Sequence, residues 1–351
     1  MTEGVAMDKQ ADGVLKLKSV ADVQVKPVEW LVPMYIPANT ITLLCGDGGV
    51  GKTALWCDTA AAISRGELPR YTTQGDRIRD SDERKTVMYF SAEDDTASVI
   101  KPRLERAGAN QKNILYMGAD HPQFQSIKFV TDELKELIES AKPRLCIFDP
   151  LQSFLDDRVK MGERNAIRSR LDPLAGLAKR AGTTMIIVLH TNKRAGAYGR
   201  NRMADSSDLW DRARSVLIAG RTGTKGVFYL SHEKCNYGPE QPTILYRIEN
   251  GAVQFFGTSN KKDFDFVNEH SRKAKEAPAR EDAKEAIMEV LQNGKMTVAD
   301  LDAAVVDGYG VSKKTLRRAK QDLKAEGKIA ITKTGNQKGE GQAWHAELLS
   351  T

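Results

Sequence analysis

The chain has 351 residues, with 53 Lys and Arg against 47 Asp and Glu and a formal net charge of +6. That length admits one sizeable core plus a smaller one, and a hydrophobic content of 40% with 28% charged residues is that of an ordinary folded protein, not a disordered one. No apolar run nears the ~20 residues of a membrane span. The start, Met1 to Lys18, is polar and carries no signal-peptide apolar segment. No membrane partner is therefore expected, and the expected compartment is the cytoplasm. The four cysteines, Cys45, Cys57, Cys146 and Cys235, lie far apart with no metal-ligand spacing. They read as small buried hydrophobes in a reducing compartment. The positive balance permits nucleic-acid binding without requiring it.

In chain order, residues 1–25 read as a loose arm. Trp30 to Pro37 leads toward the first strand and packs along the sheet edge or near a nucleotide base. The apolar run Ile41-Thr42-Leu43-Leu44-Cys45 reads as a buried strand. Directly behind it stands Gly46-Asp47-Gly48-Gly49-Val50-Gly51-Lys52-Thr53, then a helical stretch from Ala54 to Ile63 that stops at Gly66. Gly, four residues, then Gly-Lys-Thr is the phosphate-loop pattern, and strand, Gly-rich turn, helix is its required context. The glycines let main-chain N–H groups approach phosphate without a Cβ in the way. The positive end of the helix dipole faces the same anion. Lys52 is expected on the β- and γ-phosphates of ATP, and the Thr53 hydroxyl on Mg²⁺.

Residues 70–85 are charged and read as a solvated loop. Thr86 to Ser91 reads as a strand that runs into Ala92-Glu93-Asp94-Asp95. Acids at the carboxyl end of such a strand lie where ligands bind. Glu93 is the candidate base or water-orienting group, while Asp94 or Asp95 caps the helix of Ala97 to Ala107, which Pro102 kinks or limits. Leu145 to Asp149 is an apolar strand ending in the second acid, a Mg²⁺ partner acting through water. Thr183 to Leu189 is another strand, ending in His190, which either senses the γ-phosphate or is structural. Two basic loops follow these strands. One spans Asp156 to Asn165, with Arg158, Lys160 and Arg164; the other spans 193–206, with Arg200 and Arg202. They either line a DNA channel or are plain solvated loops.

Ser215–Ala219, Val227–His232, Thr243–Glu249 and Val253–Phe256 read as consecutive strands extending the sheet as an antiparallel edge. Residues 258–280 gain charge and read as a linker. Beyond it, helices are expected over Glu281–Leu291, Val298–Val305 and Ser312–Lys324. A hairpin of Ile329–Ile331 and Ala343–His345 flanks a Gly-rich tip, Gly335 to Gly341. Three helices and a hairpin make a winged helix-turn-helix. From Lys313 to Lys333 there are eight Lys or Arg against two acids. Lys313, Lys314, Arg317 and Arg318 on the third helix are the candidate duplex contacts; the other use of such a unit is protein contact.

Taken together, these residues resemble the RecA-like ATPase core of the RepA-type hexameric replicative helicases of plasmids and phages. The matching pieces are the phosphate loop, Tyr89-Phe90-Ser91-Ala92-Glu93-Asp94, Arg103-Leu104 with Ala107-Gly108-Ala109, Ile147-Phe148-Asp149 and Val188-Leu189-His190. Ser206-Ser207 through Arg214 and Lys234-Cys235-Asn236-Tyr237-Gly238 match as well. The resemblance implies a nucleotide-dependent motor with its active site at subunit boundaries. It implies Glu93 as catalytic carboxylate, Asp149 as second acid, His190 as sensor and Arg214 as an arginine finger given to the neighbouring subunit. It places Lys234 in a segment that also crosses that boundary. Thr191 departs from the pattern, standing where the family often has a second His. The C-terminal unit departs too; it resembles winged-helix ends on mobile-element ATPases.

The expected architecture is α/β: a RecA-like P-loop NTPase core with a mainly parallel sheet over 26–257, an arm before it, the linker, and the winged unit over 281–351. The expected function is an ATP-hydrolysing DNA motor, a helicase-like ring with Mg²⁺ as cofactor. Its expected partners are single-stranded DNA in the channel, duplex at the wing, copies of itself in a hexamer, and replication proteins. The rival reading is an ATP-switched DNA-binding regulator or loader with slow hydrolysis; a RecA-like recombinase is a third, disfavoured by the C-terminal unit and the lack of an obvious polymerisation segment.

Overall fold

The computed structural model describes residues 19–72, 82–156, 164–192, 197–203, 207–292, 294–334 and 343–349. Arg158 and Lys160, the Gly335 to Gly341 tip, most of the arm, and residues 193–196 and 204–206 of the second basic loop lie outside the described residues.

A short antiparallel pair, β1 (Trp30–Val32) and β2 (Ile36–Pro37), precedes β3 (Ile41–Gly46). Then come α1 (Lys52–Arg65), β4 (Val87–Ser91), α2 (Lys101–Arg106), β5 (Ile114–Gly118), α3 (Asp132–Ala141), β6 (Leu145–Asp149), α4 (Arg164–Ala181), β7 (Thr184–His190) and α5 (Ser207–Arg212). Strands β8 (Ser215–Arg221), β9 (Phe228–Cys235), β10 (Thr243–Glu249) and β11 (Ala252–Ser259) complete the main sheet. Its order is β11-β10-β9-β8-β3-β7-β6-β4-β5. From β8 to β5 all pairings are parallel; β9, β10 and β11 add antiparallel neighbours.

The central strands are apolar almost throughout because both faces are covered. Ile41, Leu43 and Cys45 point into one core with Phe148, Phe154 and the buried side of α4. Leu44 points to the other, with Trp56, Ala60 and Ile63 of α1. The alternation is the period of two expected of a strand. The result places the carboxyl ends of β3, β4, β6 and β7 side by side, at the mouth where β3 turns into α1.

The acids after β4 behave as expected at the helix start. Asp95 caps the next turn, its carboxylate accepting from the Ser98 N–H at 2.7 Å. The helix expected over Ala97 to Ala107 is divided: a π-turn over Thr96–Ile100 leads into α2, where Pro102 stands in the first turn and its missing N–H is tolerated.

The 258–280 stretch, expected as a linker, is largely helical. It forms the first part of α6 (Asp263–Leu291), 29 residues in one helix. Its Ala, Lys and Glu content favours helix, so the charged composition goes with a helical connection in place of a coil. The end of α6 joins α7 (Val298–Tyr309) and α8 (Lys313–Ala325) around Ile287, Leu291, Leu301, Val305, Leu316 and Leu323. Strands β13 (Ile329–Thr334) and β14 (Ala343–Leu348) pair as expected, and the unexpected β12 (Met296–Thr297) adds a third strand on β14. Ser312 caps α8 by accepting from the Thr315 N–H at 3.2 Å.

Candidate functional site

The phosphate loop joins β3 to α1. Gly51 enters the helix with φ of 87°, a left-handed conformation, and an added Cβ there would meet the Ile248 side chain of β10 at 2.3 Å. Gly46 is pressed against the Ala219 carbonyl, 2.7 Å from where a Cβ would stand. β8 and β10 therefore shape the loop from outside. The Tyr246 hydroxyl donates to the Val50 carbonyl at 2.6 Å, and Arg221 donates to the Gly49 carbonyl at 3.0 Å. Neither residue is visible in the loop motif, because both arrive from strands far along the chain.

Lys52 is buried, and its ammonium donates to the carbonyls of Gly46 at 2.8 Å and Asp47 at 2.9 Å. Burial lowers its pKa; the nearby Asp149, Cys45, Glu93 and Asp47 work against that shift. Lys52 also contacts His190 Nδ1 at 3.3 Å, while His190 Nε2 lies 3.3 Å from both Glu93 oxygens. An ammonium has no acceptor, so Nδ1 accepts and Nε2 carries the proton given to Glu93. His190 thus bridges the loop lysine and the candidate base. Asp94 is taken by Arg103 at 3.1 Å and Asp95 by its cap, which leaves Glu93 as the acid facing the loop.

Asp149 ends β6, buried, and accepts from the Trp56 indole N–H at 2.7 Å. Burial pushes its pKa up to about 6; the indole and Lys52 oppose this, and Glu93 adds to it. Ser91, its register partner on β4, has a buried hydroxyl with no hydrogen-bond partner among the described residues. A buried carboxylate, the Thr53 hydroxyl at the start of α1 and an unused Ser91 oxygen form an all-oxygen donor set that fits Mg²⁺. Among the described residues there is no cluster of three or more His, Cys, Asp or Glu able to hold a metal.

Other expected site residues are placed differently. Arg214 stands just before β8, where its N–H donates to the Ile41 carbonyl at 2.9 Å. β3 and β8 run parallel from there, so about 16 Å of strand separates Arg214 from Gly46. It lines a cavity of about 530 Å³ with Arg212, Asp172 and Tyr237. It does not reach its own subunit's phosphate loop. Lys234 is occupied at home: its ammonium donates to the carbonyls of Trp210 at 2.6 Å and Ala213 at 2.9 Å, closing the end of α5. Within its own chain Lys234 therefore acts as a cap on the end of α5. Arg202, expected in a DNA channel, is 5% exposed and held by Asp47 and Asp263. A guanidinium so buried and paired is not a DNA-backbone contact, and that expectation is corrected. Arg200 remains at the surface, paired with Asp211 at 2.7 Å. Thr191 is engaged as well, its hydroxyl donating to Asp47. On α8, Lys313, Lys314 and Arg317 are exposed and Arg318 is half-buried.

A family model described as an AAA domain matches residues 14–196. No curated protein matches. Among solved structures, the chain is similar to the crystal structure of the RadB recombinase, at 16% identity and a TM-score of 0.44, over 64% of this chain and 93% of that one.

Proposed function

The chain belongs to the AAA-domain family of P-loop ATPases, and from that premise we propose that it is an ATP-hydrolysing DNA motor, a helicase-like ring of identical subunits. What carries the reading is the convergence of Lys52, Glu93, His190 and Asp149 on the phosphate loop, with Arg214 standing at the far end of β8.

In this proposal ATP lies on Gly46–Thr53, with its phosphates on the loop N–H groups. Lys52 exchanges the carbonyls of Gly46 and Asp47 for the β- and γ-phosphates. Thr53 and, through water, Asp149 would hold Mg²⁺, which would neutralise phosphate charge. Glu93 orients the attacking water and takes its proton, and His190 fixes the Glu93 carboxylate through the Nε2 proton. Arg214, out of reach of its own loop, serves the loop of the next subunit, where its planar fork pairs with γ-phosphate oxygens. A hexameric ring is the assembly this implies.

In the same proposal the C-terminal helices and three-stranded sheet act as a winged helix, with α8 as the helix that would enter a major groove. Duplex binding there, single-stranded DNA in the ring, and a role beside replication proteins belong to the same proposal. The rival, an ATP-switched DNA-binding regulator, uses the same winged unit but does not need force. Strand displacement on a forked duplex separates them. The motor displaces a strand with ATP and not with a non-hydrolysable analogue; ATP-dependent binding without displacement would overturn the motor in favour of the switch.

A further inference from the structure

Arg202 sits where five parts of the chain meet. Its Nη2 donates to Asp47 Oδ2 at 2.6 Å, and its Nη1 donates to Asp263 and to the Tyr229 hydroxyl, the latter at 3.1 Å. Asp47 is the second residue of the phosphate loop. Its other oxygen accepts from Thr191 at the end of β7, and its carbonyl accepts from Lys52 at 2.9 Å. Asp263 is the first residue of α6 and is 0% exposed. It accepts from the Gly199 N–H at 2.8 Å and from the Tyr229 hydroxyl at 2.7 Å, and its own N–H donates to Glu233 at 2.9 Å. The Tyr229 ring stacks on Phe266 of α6, with centroids 4.2 Å apart.

We propose that Arg202 is a positioning residue that sets the phosphate loop's grip on ATP and couples that grip to the first turn of α6, the helix that leads to the C-terminal unit. The inference rests on the loop being an ATP site. One guanidinium lies between two carboxylates, one from the nucleotide loop and one from α6. Only a planar fork with several donors can serve both at once; an ammonium is a point donor. Burial opposes the Asp47 charge, but Thr191 and Arg202 outweigh it and hold the carboxylate below its usual range. Burial likewise opposes the Arg202 charge, and Asp263, Tyr229 and Asp47 outweigh it. An exposed ion pair would contribute little. Here the Arg202–Asp263 pair is out of water, so loosening one partner strands the other. A shift at the start of α6, or in the Gly199–Arg202 turn, moves the group that holds Asp47. By linkage, filling the loop with ATP acts back on α6.

The test is equilibrium binding of a fluorescent mant-labelled ATP with Mg²⁺ to the full chain, with melting temperature recorded for each variant. Tyr229→Phe keeps the ring and its stack on Phe266, removes only the hydroxyl that orients Arg202, and touches no loop residue. It is expected to fold and to weaken nucleotide binding about threefold. Asp47→Asn and Arg202→Lys are each expected to weaken it about tenfold, with the double variant no worse than the weaker single. Arg202→Met should bind more weakly than Arg202→Lys. Should the Arg202 variants not fold, Tyr229→Phe still decides. Folded variants that all bind with wild-type affinity, or effects of Asp47→Asn and Arg202→Lys that simply multiply, would overturn the inference alone. A wild-type chain that does not bind the analogue would overturn the ATP reading and the inference with it.

Discussion

Two carboxylates near the loop differ in environment, and the proposed roles follow that difference. Glu93 is half-exposed and oriented by His190, whereas Asp149 is buried against Trp56. Glu93→Gln keeps the shape and removes the base, so ATP should still bind while hydrolysis falls by about 10²-fold. Lost binding in that variant would make Glu93 structural. Lys52→Ala should abolish hydrolysis and weaken ATP binding, and unchanged turnover would contradict the phosphate-loop assignment. Because burial raises the Asp149 pKa to about 6 from its ordinary 3.8, the protonated form favours the fold. That contribution is full below 3.8 and is lost as pH rises through about 6. Mg²⁺ needs the charged form, so its affinity in titration should fall about tenfold per pH unit below that point. Trp56→Phe removes the N–H that opposes the rise and should move the fall to higher pH; an unmoved profile would remove Asp149 from the metal's surroundings. The loop, Glu93 and Asp149 are legible in sequence because each follows a strand in a fixed pattern. Trp56 with Asp149 and Asp47 with Arg202 are not, since the partners are 93 and 155 residues apart and no local spacing links them. The one local hint is that a Trp buried one turn after Lys52 needs a partner for its N–H.

Among the elements, the central strands can be read directly because strands covered on both faces are continuous apolar runs. β5 escapes that reading. It lies at one edge of the sheet, with Leu115 46% and Tyr116 56% exposed, and its apolar run, Ile114 to Met117, is only four residues long. The first half of α6 escapes for the opposite reason, since its charge imitates a linker while its residues favour helix. α8 shows both its buried stripe, Leu316, Ala319 and Leu323, and its exposed cations in the sequence. Leu323→Ala should cost about 2–5 kcal/mol in the C-terminal unit, read as a lowered melting transition. Lys313→Ala with Arg317→Ala should leave that transition in place. For duplex binding, each DNA phosphate that these cations no longer neutralise should make the slope of log K against log salt shallower by about 0.9. An unchanged slope would assign the unit to a protein partner.

At the scale of the whole molecule, the phosphate loop and Arg214 lie at opposite ends of parallel strands, so one subunit cannot bring them together. The parallel direction of β3 and β8, with Gly46 at the end of one and Arg214 before the start of the other, creates this separation, and no single motif reveals it. A surface arginine with no catalytic duty would contribute at most about 1 kcal/mol to stability and nothing to turnover. A finger acting on the next subunit contributes about 10³–10⁵ in rate. Mixing two inactive variants tests this most directly. Lys52→Ala and Arg214→Ala should each be nearly inactive alone. Mixed in one assembly, they should recover ATP hydrolysis, because an intact loop meets an intact arginine at some boundaries. No recovery in assemblies proven to contain both variants, or full activity of Arg214→Ala alone, would contradict the account.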